Sequence, residues 1–175
     1  MSKVETRFHF RNREVARAQP RARMVQALAI AMALIVSPWI FAQSAPRPEA
    51  LIKWRQSAYQ VIAWNSGRIK SALAGQFVPG EVQSAANALA AVANSGLSSL
   101  FAPGTEHGKG WRETTARDVV FSDARKFRAL IDEFARESNT LARVAGTGDR
   151  NAVNEQFLKV AQACKACHDK YRQTD

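Results

Sequence analysis

Apolar side chains recur every three or four positions in four stretches of the chain, separated by glycine and proline. That is the period of a helix with one buried face. The first stretch runs from about Pro48 to Leu73, with Ile52, Arg55, Tyr59, Ile62, Gly67 or Ser66, Ile69 and Leu73 on one stripe. Pro48 suits a first helical turn, and Glu49 stands beside the positive end of the helix dipole. The segment from Gly75 to Gly80, with Pro79 inside it, breaks the pattern. A second helix is predicted from about Glu81 to Leu97, with Val82, Ala85, Leu89, Val92 and Gly96 on one side. Phe101 to Gly110 holds too many glycines for a regular element and reads as loop. A third helix is predicted from Ser122, as its cap, to Ala145, ended by Gly146. Its stripe is Ala124, Phe127, Ile131, Phe134, Ser138, Leu141 and Ala145. The fourth starts at Asp149, a cap placed after Gly148, and runs to about Arg172 with Val153, Phe157, Val160, Cys164, His168 and Tyr171 on its stripe. Four amphipathic helices with mostly short connections predict an all-α fold, an antiparallel four-helix bundle. Strand alternation, a phosphate-binding glycine loop and an internal repeat are not apparent.

The segment before the first helix has a different character. Seven Lys or Arg residues lie in the first 42 positions, and the apolar run Met24–Val36 follows them. Small residues come next, Phe41-Ala42-Gln43-Ser44-Ala45. This order predicts a signal peptide over residues 1–42, cut after Ala42 or Ser44, and a mature bundle over 43–175. The competing reading is an uncut membrane anchor, since the run extended through Phe41 approaches the roughly 20 residues that span a bilayer. Either way the basic side stays inside and the rest of the chain leaves the cytoplasm. The formal charge of +10 divides evenly between this segment and the remainder. A balance so modest, with no basic-aromatic stripe, does not point to nucleic acid.

Chemistry enters at Cys164-Lys-Ala-Cys-His168, a C-x-x-C-H haem-attachment pattern. On a helix, positions i, i+3 and i+4 share a face. Both thiols can then reach the two vinyl groups of one porphyrin while the imidazole comes up under the iron. The chain holds no other cysteine. A redox pair would need a thioredoxin-like βαβ setting. Structural zinc would need four ligands with paired spacing. A plain disulfide leaves the adjacent His168 unexplained.

The sixth iron ligand is the next question. Electron-transfer cytochromes often use Met, and the three methionines here, Met1, Met24 and Met32, all lie in the signal segment. Of the histidines, His9 leaves with that segment, His168 is committed, and His107 stands in the glycine-rich loop, where a solvated side chain is the simpler reading. A lysine ligand stays open. The expected iron is therefore five-coordinate and high-spin, with one face free for a diatomic gas. Arg55 falls on an apolar stripe, where it either pairs with a haem propionate or snorkels to the surface. Tyr59, one turn on, either packs over the open iron face, bonds a bound ligand, or is an ordinary core aromatic. Arg172 stands one turn beyond His168 and is read as a proximal-side residue or as a solvated terminal arginine.

The segments Pro48–Ser57, Gly67-Arg-Ile-Lys70, Phe101–Glu106, Val120-Phe-Ser-Asp123 and Cys164–Arg172 occur in an order that resembles cytochrome c′, the four-helix class of c-type cytochromes. The haem motif near the chain's end is the most specific mark. The resemblance implies a periplasmic homodimer with one covalent haem c and a high-spin iron. It implies that Arg55 and Gln56 contact a propionate, that Tyr59 and Phe101 form the distal pocket, and that Arg172 lies proximal. It also implies binding of nitric oxide and carbon monoxide, discrimination against dioxygen, and a part in electron transfer with an unidentified redox partner. The departures are Ser98 in place of a Trp found in some members, Asp118 where a Pro is usual, and a longer segment from His107 to Thr115. The expected protein is a gas-binding haem protein and not an enzyme, because no distal His is on hand to assist peroxide cleavage. The alternative is a six-coordinate low-spin electron carrier.

Overall fold

The computed structural model describes residues 46–173. The expected signal segment, its cleavage point and the alternative anchor lie outside the described residues. Among those described, no helix is long and apolar enough to cross a membrane.

Five helices carry the described residues: α1 (Pro48–Ala74), α2 (Pro79–Ala93), the short α3 (Val119–Ser122), α4 (Ala124–Ala145) and α5 (Arg150–Tyr171). A 3-10 turn, Leu97–Leu100, follows α2. The four long helices form an antiparallel bundle in which α1 packs on α2, α2 on α4 and α4 on α5. Among the described residues the only extended pairings are isolated bridges, Lys109 with Glu113 and Ala116 with Arg172.

The predicted stripes become the core. On α4 every predicted position except Ala124 is buried. On α5, Val153 and Val160 are buried together with Gln156 and Ala163. Gln156 is buried because its amide reaches α4, donating to the Glu137 carbonyl at 3.1 Å and carboxylate at 2.6 Å. On α1, Asn65 takes the inward place expected of Ser66 or Gly67; its amide donates to the Val61 carbonyl at 2.9 Å. Small residues fill the α2 seam. Ala85, Ala86, Ala90 and Ala93 are buried there while Val92 is half-buried, so the helices approach closely.

Two expected boundaries move. The second helix does not reach Leu97, because Gly96 takes the left-handed conformation (φ 82°) and the chain resumes as a 3-10 turn. Asn94 helps to end it: its amide donates to the Ala90 carbonyl and to Asn139 on α4, both at 2.7 Å. Ser122 does not cap the third long helix. It closes α3, and Asp123 stands in the cap position without a capping side-chain bond. Asp149 does cap α5, accepting from the N–H groups of Asn151 and Ala152. At that end Arg150 donates to the Leu73 carbonyl at 2.6 Å, closing α5 onto α1.

The Asp123 carboxylate is engaged elsewhere. It accepts from Lys170 and, at 3.2 Å, from the Tyr171 hydroxyl, pinning the end of α5. The Lys170 bond holds its pKa below the ordinary value, and the Tyr171 bond acts in the same sense. The folded pKa therefore lies below the unfolded one. This contribution is complete above the usual Asp range of about 3.9 and is lost as pH falls through the folded value. Asp123→Asn should lower the melting temperature at neutral pH, and the gap to the parent should close in acid. A gap that does not change with pH would show that the contact carries no proton-linked stability.

Candidate functional site

The seam between α1 and α5 is open over part of its length. α1 and α5 are joined at the Arg150–Leu73 end, but toward the other end a cavity of about 510 Å³ separates them. Such a volume is in the range of about 300–1,000 Å³ usual for cofactor sites. α5 supplies Ala163, Cys164, Cys167, His168 and Tyr171 to its wall, and α1 faces it with Arg55, Gln56, Tyr59, Ile62 and Ala63. α4 forms the floor with Phe127, Leu130, Ile131 and Phe134. The helical period dictates this face, since positions 164, 167 and 168 project to one side of α5.

All eight residues expected at the site, Cys164, Cys167, His168, Arg55, Gln56, Tyr59, Phe101 and Arg172, line this one cavity. Their surroundings differ from expectation in several respects. Cys164 and Cys167 are half-buried free thiols. Burial raises both pKa values; for Cys167 the nearby Cys164 adds to it and the value is pushed up to about 11. His168 is not on the buried stripe. It stands at the rim, exposed on its outer side, because α5 faces an opening there and not another helix. Partial burial and then Arg172 lower its pKa, which favours the neutral imidazole that binds a metal.

An aromatic row crosses the cavity wall. Tyr59 meets Phe101 edge-on with ring centroids 6.5 Å apart, Phe101 meets Phe127 at 4.7 Å, and Phe127 meets Tyr171 at 5.2 Å. Burial, with Cys167 next in weight, pushes the Tyr59 phenol well above its usual range, so it stays protonated. That disfavours the phenolate form in which tyrosine serves as a haem ligand.

Arg55 does not snorkel. It is only 3% exposed, and four of its N–H bonds go to protein acceptors. These are the Leu100 carbonyl at 3.3 Å, the Thr105 hydroxyl at 2.9 Å, the Thr105 carbonyl at 2.8 Å and the Thr114 hydroxyl at 2.6 Å. Its guanidinium also stacks over Phe101, 4.6 Å from the ring centre. Of its five N–H donors, only the Nε–H is left for anything in the cavity. Gln56 is engaged in the same way, with the loop backbone at Trp111, Arg112 and Glu113. The long segment after Phe101 is thus a strap. It is tied to α1 through Arg55 and Gln56, and to the end of α5 where Arg117 N–H donates to the Tyr171 carbonyl and Gln173 N–H to that of Thr115.

Sequence reasoning missed Thr105, Thr114 and Arg112, the last two of which also line the cavity. No periodicity marks them, since they belong to a loop placed by the tertiary fold. His107 is exposed, outside the cavity wall, and 3.9 Å from Asp118. Among the described residues no three His, Cys, Asp or Glu side chains cluster so as to hold a bare metal ion. The cavity wall also carries no Met, no Lys and no His besides His168.

A four-helix bundle that aims two thiols and an imidazole from one helix into a largely apolar cavity has the donors a haem requires, and it defines a haem protein of the four-helix cytochrome class. The comparisons narrow this further. The chain belongs to the cytochrome c′ family: the family model described as Cytochrome C' matches residues 50–172. A cytochrome c′ from Rhodocyclus tenuis is 51% identical over 130 residues, covering 74% of this chain and 98% of that protein. A solved cytochrome c′ described as having a ligand-controlled dimer dissociation superposes with a TM-score of 0.72 at 40% identity, covering 75% of this chain and 100% of that one. A nitric oxide complex of a cytochrome c prime variant from Alcaligenes xylosoxidans has a TM-score of 0.67 at 30% identity, with 75% and 100% covered.

Proposed function

We propose that this chain is a periplasmic, non-enzymatic gas-binding protein carrying one covalent haem c, bound through Cys164 and Cys167 with His168 as its single protein ligand to iron. When bound, the haem supplies an iron with one coordination position open to nitric oxide or carbon monoxide. The observation that carries this reading is the asymmetry of the cavity. One wall presents Cys164, Cys167 and His168, and the opposite wall presents Tyr59, Ile62 and Ala63 without a strong metal donor. Tyr59 and Phe101 are the aromatic side chains on that side, where they would crowd a ligand on the iron. The lack of a second histidine in the cavity wall also argues against assisted peroxide cleavage. Two copies are part of the reading. Trp54, Val61 and Trp64 lie on the outer face of α1, 52%, 43% and 69% exposed, and such a patch suits a partner subunit. Electron exchange with a redox partner is part of it as well.

The test is the optical spectrum of the purified ferrous protein. A high-spin spectrum without added ligand that shifts on adding carbon monoxide is expected; a low-spin spectrum without ligand would favour the six-coordinate carrier and overturn the proposal. Tyr59→Ala should then raise carbon monoxide affinity. Crowding of a filled site costs about 1–3 kcal/mol, so removing the ring should tighten binding about ten- to a hundredfold. An unaltered dissociation constant would show that Tyr59 does not restrict the ligand position.

A further inference from the structure

The strap between Phe101 and the end of α5 has a firmly held root and an exposed tip. At the root, Thr105 is fully buried, and Thr114 is tied to the buried Arg55 at 2.6 Å. Past Thr114 the chain is joined to the end of α5 by two backbone bonds. Arg117 N–H donates to the Tyr171 carbonyl at 2.9 Å, and Gln173 N–H to the Thr115 carbonyl at 2.8 Å. The tip, residues 108–113, is a small closed turn. Thr114 N–H donates to the Gly108 carbonyl and Gly110 N–H to the Arg112 carbonyl, both at 3.0 Å, and Lys109 bridges to Glu113. Lys109, Trp111, Arg112 and Glu113 are all exposed. Gly108 has a φ of 109°, open to glycine above other residues, and it gives the turn a pivot beside the root.

The tip is seated on α1 at Lys53 and Ser57. The Trp111 indole N–H donates to Ser57 Oγ at 2.8 Å, and Lys53 Nζ lies 3.9 Å from the centre of the ring. Gly110 lets the turn come this close, since a Cβ there would stand 2.7 Å from the Lys53 backbone. The Trp111 and Arg112 N–H groups reach Gln56 Oε1 at 2.7 and 3.3 Å. These contacts are made at the surface, and Trp111 stays 59% exposed. Closing the tip seals little apolar area, so the turn can lift while the root stays in place. Arg112 belongs to the tip and also to the cavity wall, whereas Trp111 lies outside that wall. The tip therefore stands at the mouth of the cavity.

We propose that the tip is a flap over the cavity mouth, that Trp111 is its latch on α1, and that the flap limits the size of ligand that enters. What the flap admits rests on the haem reading above; that Trp111 latches it does not. A diatomic gas passes with the flap shut, because the seam between α1 and α5 is open over part of its length. A longer ligand needs the flap lifted, so its rate of entry scales with the open fraction. Loss of one surface hydrogen bond together with one exposed cation–π contact raises that fraction about tenfold.

Two measurements on the full chain test this. The first is amide hydrogen exchange, read with or without haem. In Trp111→Ala the amides of positions 111 and 112, bound to Gln56 in the shut state, should exchange about tenfold faster. Those of Arg117 and Gln173, at the root, should stay within about twofold. The second is stopped-flow binding of carbon monoxide and of n-butyl isocyanide to the ferrous haem-bearing protein. Trp111→Ala should raise the isocyanide association rate about tenfold and leave that of carbon monoxide within about twofold. Trp111→Phe and Ser57→Ala each delete the indole hydrogen bond. Each should raise the isocyanide rate about threefold, and the two together no further. Trp64→Ala, an equally exposed tryptophan on α1 outside this cavity wall, should leave the rate unmoved. Unchanged exchange at positions 111 and 112 would overturn the latch. Faster exchange with an unmoved isocyanide rate, or an equal rise for carbon monoxide, would overturn the size limit. Intact mass separates these from failure of the cofactor. A chain without haem mass overturns the haem reading and the size limit together, while the exchange rates still decide the latch.

Discussion

Exchange of Cys164 and Cys167 together for alanine should abolish haem that survives acid-acetone extraction. The chain has no third cysteine, and both thiols face the same cavity as His168, so no other sulfur is placed to form a thioether. Each single exchange should leave one linkage and a fraction of haem that extracts. The bundle itself should tolerate the change, because both side chains are only half-buried and a free cysteine packs as a small hydrophobe. Intact mass before and after extraction is the measurement, with circular dichroism to show that the helices persist. Covalent haem retained by the double variant would remove these cysteines from the assignment, and a parent chain without added mass would remove the cofactor altogether.

Arg55→Ala should produce the largest loss of stability among single changes near the site, about 3–4 kcal/mol. Arg55 and Thr105 are 3% and 0% exposed, so truncation leaves the buried Thr105 carbonyl without this partner and also removes the bonds to the Thr105 hydroxyl, the Leu100 carbonyl and the Thr114 hydroxyl. Each buried group left unpaired costs about 1–3 kcal/mol, and partial entry of water keeps the sum below the simple total. The stacking on Phe101 is lost as well. Burial pulls the guanidinium's pKa down, yet an arginine stays charged at any working pH. Arg55→Lys should recover little, because one ammonium cannot reproduce a fork that reaches acceptors on two loop segments. Denaturant unfolding of the two variants against the parent provides the check. A loss below about 1 kcal/mol for alanine, or full rescue by lysine, would show that the strap is held by other contacts.

How far the site could be read in advance depended on where each residue sits. Cys164, Cys167 and His168 share one helical face by spacing alone, and the fold brings them to one cavity as that spacing requires. Tyr59 and Arg55 were found the same way, from the stripe of α1. The stripe could not tell what Arg55 does, because its partners come from positions 100, 105 and 114. Thr105, Thr114 and Arg112 carry no periodic signal. In the same way Ser122 has the chemistry of a cap, but a short preceding helix takes it and leaves the position to Asp123.

The amino-acid order by itself determined the four amphipathic stretches, their approximate ends, the capping by Asp149 and the grouping of two thiols with one imidazole. All of these follow from interactions within a few residues, where a fixed helical period translates position into direction. The tertiary structure alone decided the rest. It left the seam between α1 and α5 open as a cavity, committed Arg55 to the strap, and brought the strap residues Arg112 and Thr114 to the cavity wall. Those outcomes depend on which groups, far apart in the chain, meet after the helices have packed, and the cost of leaving buried polar groups unpaired is what selects among them.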